Sequence, residues 1–258
     1  MIFDTHAHYD DELYNEDRDE LLASLPVNRV TRVVNVGASK KMTEDSITLA
    51  EKYDYIYAAA GIHPSEVMEY ESGLADMNWL REKASHKKVV AIGEIGLDYH
   101  YDEPPKEIQR KWFREQLKVA SELDMPIIIH SRDAAKETYD IMKEMGGEKL
   151  KAVVHCFSYE NEMAKEFLKL GYYIGIGGVL TYKNARKQKE VLAEMPLDRL
   201  LLETDCPYLP PTPHRGERNS SLYLPYVVKE MAQIRGISEE EIEDITYKNA
   251  LRFYEINE

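Results

Sequence analysis

The chain is poor in the features that cross-link a fold, span a bilayer or grip a long polyanion. Two cysteines in 258 residues, Cys156 and Cys206, give no disulfide framework and suit a reducing compartment. No apolar run approaches the roughly 20 residues a bilayer span needs. The N-terminus has no basic segment leading into an apolar one. A cytoplasmic protein without a membrane partner is expected. Lysine and arginine total 33 against 47 acidic residues, a formal charge of −14. Duplex binders rely on many phosphate contacts, so an anionic substrate here needs a local positive site. No G-x-G-x-x-G turn follows the first apolar run, which counts against an open dinucleotide-binding sheet. Linkers and low-complexity tracts are also missing. One domain over residues 1–258, working as a monomer, is the expectation.

What the chain does have is a repeat of short β-branched runs separated by amphipathic stretches. The runs fall at 1–8, 32–38, 55–63, 89–98, 126–132, 151–157, 172–178 and 200–209. Between the fourth and fifth lies "PKEIQRKWFREQLKVASELD" (105–124), with Ile108, Trp112, Leu117 and Ala120 near helical spacing. Strand then helix, eight times in a chain of this length, predicts an α/β fold, a (β/α)8 TIM barrel. The C-terminal 238–256 reads as two short helices, opened by a capping box at "SEEE".

Barrel enzymes place their chemistry at the C-terminal ends of strands. In "FDTHAHYD" (3–10), side-chain alternation puts Asp4, His6 and His8 on one face. The fourth run carries Glu94, the fifth ends at His130, the sixth at His155 and the eighth at Asp205. Four histidines and two carboxylates gathered at one barrel mouth are the donor set of a site for two divalent ions. Such mixed N and O donors do not choose decisively between Zn, Mn and Mg. Two such ions less two ionised carboxylates leave about +2 at the mouth of an acidic body. That would attract phosphate locally and discourage broad binding along a duplex.

The segments "FDTHAHYD", "GEIGLDYH", "IIIHSRDA", "HCFS", "TYKNA" and "LLETDCPYL" together resemble the TatD family of metal-dependent deoxyribonucleases, within the amidohydrolase-type barrels. The resemblance spans nearly the whole chain, and it retains the H-x-H pair. It implies that His6, His8 and Asp205 hold one ion, His130 and His155 the other, and that Glu94 bridges them. It also implies that Asp205 both binds metal and accepts the proton of the attacking water. "RNSSL" (218–222) departs from the family's Arg-x-Asn-Glu-Pro, which leaves the shape of the 215–221 loop open, although Asn219 or Ser220 is able to cap the next helix.

Other residues carry weaker signals. His63 in "GIHP" reads as a phosphate-orienting donor or leaving-group acid, or as a turn-stabilising histidine. Asp4 and Glu203 read as carboxylates that orient imidazoles, or as members of a buried ion pair. Arg132 is the first candidate for a phosphate contact, ahead of Arg215 and Arg218. Gly177 and Gly178 suit either backbone phosphate binding or tight rim packing. Tyr99, Tyr182 and Tyr208 are candidates to stack a base. Cys156 and Cys206, each following a donor, are expected to turn outward into the core. His86, His100 and His214 read as surface groups.

Three activities fit. The first is phosphodiester hydrolysis at a single-stranded or frayed DNA end, of the 3′–5′ exonuclease type. The second is hydrolysis of a carboxylic ester or amide, such as an aminoacyl ester on tRNA, by the same chemistry. The third is metal holding without turnover.

Overall fold

The computed structural model describes residues 1–73 and 77–257. Eight parallel strands are hydrogen-bonded in sequence order. They are β1 (Ile2–Ala7), β2 (Val30–Val36), β3 (Ile56–Ala60), β4 (Val89–Asp98), β5 (Ile127–Arg132), β6 (Ala152–Val154), β7 (Tyr173–Ile176) and β8 (Leu200–Leu202). Two backbone bonds join the ends of the sheet: Asp205 N–H to His6 O at 3.0 Å and His8 N–H to Cys206 O at 2.8 Å. This is the expected TIM barrel.

Helices α1 (Arg18–Ser24), α2 (Lys40–Lys52), α3 (Asn78–Ala84), α4 (Lys106–Glu122), α5 (Ala135–Met145), α6 (Asn161–Lys169), α7 (Arg186–Glu194) and α8 (Leu224–Arg235) follow the strands in turn. Their starts and stops are local. The Ser39 hydroxyl accepts from Met42 N–H ahead of α2. Pro225 stands in the first turn of α8, and Gly236 ends it at φ 67°. Among the described residues no helix is long and apolar enough to cross a membrane.

The last segment differs from expectation. Residues 238–256 form one helix, α9 (Glu239–Tyr254), not two; the Ser238–Glu241 capping box is present. No glycine or proline interrupts the stretch, so nothing breaks it. Tyr247, Ala250, Leu251, Phe253 and Tyr254 pack with inward-facing Phe3, Val34, Ala59, Ala91, Ile128, Val153, Tyr173 and Leu201. The helix thereby plugs the N-terminal end of the barrel, and Tyr254 OH donates to Thr5 O at 2.8 Å. The polar site must therefore open at the opposite end.

Two glycines let neighbouring strands approach there. A Cβ at Gly96 (φ 150°) would lie 1.9 Å from His130 O, and one at Gly175 would lie 2.2 Å from Glu203 Oε2.

Candidate metal centre

Six side chains from five strands and their following loops meet at a cleft of about 750 Å³, which His8, Glu94, His130, His155 and Asp205 line and under which His6 is buried. Glu94, on β4, stands at its centre. Its Oε1 is 2.7 Å from His130 Nδ1 and 2.7 Å from His155 Nε2. Its Oε2 lies 3.4 Å from His6 Nε2 and 3.8 Å from His8 Nε2. Asp205 Oδ1 is 3.6 Å from His6 Nε2 and 3.5 Å from His8 Nε2, and the two imidazole nitrogens are 3.1 Å apart. Four donors bound tetrahedrally at about 2.1 Å lie about 3.4 Å from one another. The spacings among His6, His8, Glu94 and Asp205 are of that size.

Tautomers support the same reading. His8 Nδ1 is 2.9 Å from Val36 O, a carbonyl that only accepts, so Nδ1 carries a proton and a neutral ring turns its Nε2 lone pair to the cleft. His6 and His155 present Nε2 in the same direction, while their buried Nδ1 atoms have no hydrogen-bond partner. The His6 and His8 Nε2 atoms, 3.1 Å apart with carboxylate oxygens 3.4–3.8 Å away, form a cluster of electron-pair donors that a cation would satisfy. The donor set fits divalent ions.

The charges follow from this crowding. Burial pushes the Glu94 carboxyl up, but His155, His63 and His130 outweigh it and hold Glu94 well below the usual carboxylate range. Asp205 is likewise held low: burial raises it, and His8, His155 and His6 lower it. Burial also opposes charge on His8 and His130, yet Asp205 raises the first and Asp98 with Glu94 the second, each to about 9. Burial and His155 depress His6 to about 4.

Asp98 is a site residue the sequence reading did not single out. Its Oδ2 is 3.0 Å from His130 Nε2, on the side of the ring away from Glu94. The signal was present, because Asp98 is four residues beyond Glu94 and so of the same strand parity. His63 lies in the loop beyond β3 and lines the cleft. Its Nδ1 is 2.7 Å from Ser65 Oγ and 3.1 Å from Ser65 N, and its Nε2 is 3.7 Å from Glu94 Oε1. Burial and His130 lower its pKa to about 3, so the ring is neutral near pH 7.

Several expectations are corrected. Asp4 does not share a face with His6: β1 shifts register between Asp4 and Ala7, and Asp4 accepts from Thr204 Oγ1 at 2.7 Å and Ser221 Oγ at 2.6 Å. It therefore neither orients an imidazole ring nor pairs with a cation. Glu203 accepts from Cys156 N–H at 2.5 Å, and its nearest approach to the His155 ring is 3.9 Å at Nδ1. Burial raises Asp4 to about 6 and Glu203 to about 7. Cys206 is core, but Cys156, at φ 45°, lines the cleft because the left-handed turn breaks alternation.

Gly177 and Gly178 are packing positions, with Cβ sites 2.8 Å from Glu203 O and 2.2 Å from Leu209 O. Neither Asn219 nor Ser220 caps α8; Asn219 Nδ2 instead donates to Thr204 O and Tyr208 O and ties the 215–221 loop to the barrel. Arg218 is fastened to Asp17 and Leu13 O, and Arg215 lies over the Tyr182 ring, 4.2 Å from its centroid. Arg132 does line the cleft, as does Tyr208; Tyr99 is bonded to Glu137 and Tyr182 to Pro210 O. His86 and His100 pair with Glu51 and Asp133, and His214 stacks on Tyr223.

A family model described as TatD related DNase matches residues 3–255. The chain belongs to that family. The metal-dependent hydrolase YabD of Bacillus subtilis (strain 168) is 45% identical, with 100% of each chain covered. A protein of Cronobacter sakazakii named 3′-5′ ssDNA/RNA exonuclease TatD is 33% identical over 98% of this chain and 97% of its own. Among solved structures, the TatD homologue YJJV of Escherichia coli K12 superposes with a TM-score of 0.92 at 32% identity, covering 99% and 98% of the two chains. This protein is thus a metal-dependent hydrolase of the TatD family, with several donor groups spaced for metal at the barrel mouth.

Proposed function

We propose that the protein is a two-metal phosphodiesterase that removes nucleotides from a free end of single-stranded or frayed DNA. One observation carries the reading: the two carboxylate oxygens of Glu94 face separate groups of imidazoles, as a bridge between two ions requires. His6, His8 and Asp205 would hold one ion, His130 and His155 the other, and Glu94 both. Divalent ions held there supply Lewis acidity, acidifying water and stabilising charge on phosphate oxygens.

The chain's own groups do the rest. Asp205 stays ionised and accepts the proton of the attacking water. His63 directs its Nε2–H at a phosphate oxygen and orients the ester. Asp98 fixes the His130 ring. Arg132 offers a charged contact to a neighbouring phosphate. All of these groups come from one chain, so a monomer suffices. The unpaired Cys156 and Cys206 suit a reducing cytoplasm.

The test is a substrate panel with magnesium, manganese or zinc and with a chelator. Stepwise loss of nucleotides from the 3′ end of a single-stranded oligonucleotide, dependent on metal, supports the reading. Release of amino acid from aminoacyl-tRNA with the oligonucleotide left intact would replace it with ester hydrolysis. Bound metal with turnover of neither would make the protein a metal holder.

A further inference from the structure

The cleft has two unlike walls. β4 and β5 lie diametrically across an eight-stranded barrel from β8 and β1. On the β4–β5 side, Tyr101 in the loop after β4 and Arg132 at the end of β5 line the opening, with the guanidinium carbon 5.6 Å from the Tyr101 ring centroid. On the β8–β1 side stand Tyr208 and Asp11, joined by a 2.7 Å hydrogen bond from the phenol to the carboxylate. Tyr101 is 61% exposed although it is a large ring at the edge of a polar site. Arg132 is the one Lys or Arg lining the cleft among the described residues, and none of them forms an ion pair with it. The neighbouring Asp133 is turned to His100, 3.1 Å away.

We propose that Tyr101 and Arg132 form the seat for the substrate's terminal nucleotide, the base stacking on the Tyr101 ring and the guanidinium binding the adjacent phosphate. This rests on the phosphodiesterase reading and gives it a substrate requirement, an unpaired base at the end that is cut. The opposite wall is the poorer seat, because Asp11, which accepts from the Tyr208 phenol, places a carboxylate where the adjacent phosphate would have to bind. Stacking on an aromatic ring is insensitive to base identity, since every base offers a π-face, and removing the ring costs about tenfold or more in affinity. Duplex DNA would have to fray to deliver its end.

The test compares oligonucleotides ending in a normal or an abasic residue. It is paired with fluorescence of a terminal 2-aminopurine, in an oligonucleotide whose last linkage is a phosphorothioate to slow cleavage. Wild-type full-length protein should quench the fluorophore and favour the base-bearing end about tenfold, mainly through KM. Tyr101→Ala should abolish quenching and bring that preference close to one, while Tyr101→Trp retains both. Arg132→Gln should raise KM for both ends, and Arg132→Lys should recover part of the loss. Equal use of the two ends by wild type, or an unchanged preference in Tyr101→Ala, would overturn the seat and leave the phosphodiesterase reading standing. Quenching that depends on Tyr101 without cleavage would support the seat and remove that reading. Neither quenching nor cleavage would remove both.

Discussion

Asp98 Oδ2 lies 3.0 Å from His130 Nε2, and the opposite nitrogen of the same ring is 2.7 Å from Glu94. A carboxylate behind a donor imidazole fixes its tautomer and raises its basicity. Asp98→Ala should therefore weaken binding of one divalent ion by about 10–100-fold, with little change in the other. Calorimetric titration with zinc or manganese reads this directly. Unchanged affinity for both ions would mean that the His130 ring is held by its packing alone.

Asp205 is assigned two tasks, and Asp205→Asn separates them. The amide keeps the shape and one oxygen donor but loses the charge and most of the basicity. Metal content should fall modestly, while kcat at saturating metal drops about 100-fold or more, the scale expected for loss of a general base. Turnover near wild type at saturating metal would move proton acceptance elsewhere. His155→Ala should contrast with it, losing occupancy and regaining part of its rate with excess metal.

Much of this site was legible because six donors fall near the C-terminal ends of runs that a strand pattern identifies. His6 and His8 could be paired by alternation alone. The reading failed where the backbone leaves the strand. β6 and β8 end at Val154 and Leu202, so His155 and Asp205 stand beyond them, and Cys156 and Asp205 adopt φ of 45° and 60°. No alternation rule survives such turns, and Cys156 entered the cleft unforeseen. Asp4 was lost for a related reason, a register shift in β1 that composition does not announce. Asp98 was readable by parity with Glu94. Tyr101 was not, because loop geometry alone decides which rim tyrosine faces the opening.

The pH dependence of stability offers a check on the buried carboxyls. Glu203 titrates at about 7 in the fold because burial disfavours its charge, against 4.5 for the free side chain. Between those values the folded state holds a proton on Glu203 that the unfolded one has lost, so the contribution of this group to stability falls as pH rises through that range and levels off above it. Between about pH 4.5 and about pH 7 the melting temperature of chelator-treated protein should therefore fall more, or rise less, than that of Glu203→Gln, because His6 and His63, depressed to about 4 and about 3, push it the opposite way in both proteins. An equally steep slope in that variant would assign the effect to other groups, Asp4 first among them.

Substrate shape tests the charge argument. On a body of formal charge −14, a small positive mouth should favour a free strand end over internal duplex phosphates. Covalently closed duplex DNA should be cut at least about tenfold more slowly than a single-stranded oligonucleotide of equal nucleotide content. Equal rates in a gel assay would contradict this.

The central claim is that Glu94 joins two ions into one hydrolytic centre. Elemental analysis of protein reconstituted with increasing divalent metal, with turnover followed in the same samples, tests it most directly. The account predicts saturation at about two ions per chain and full activity only as the second site fills. It also predicts that Glu94→Ala loses the two-ion state and its activity together. Saturation of the wild type at one ion per chain, with full activity, would contradict it.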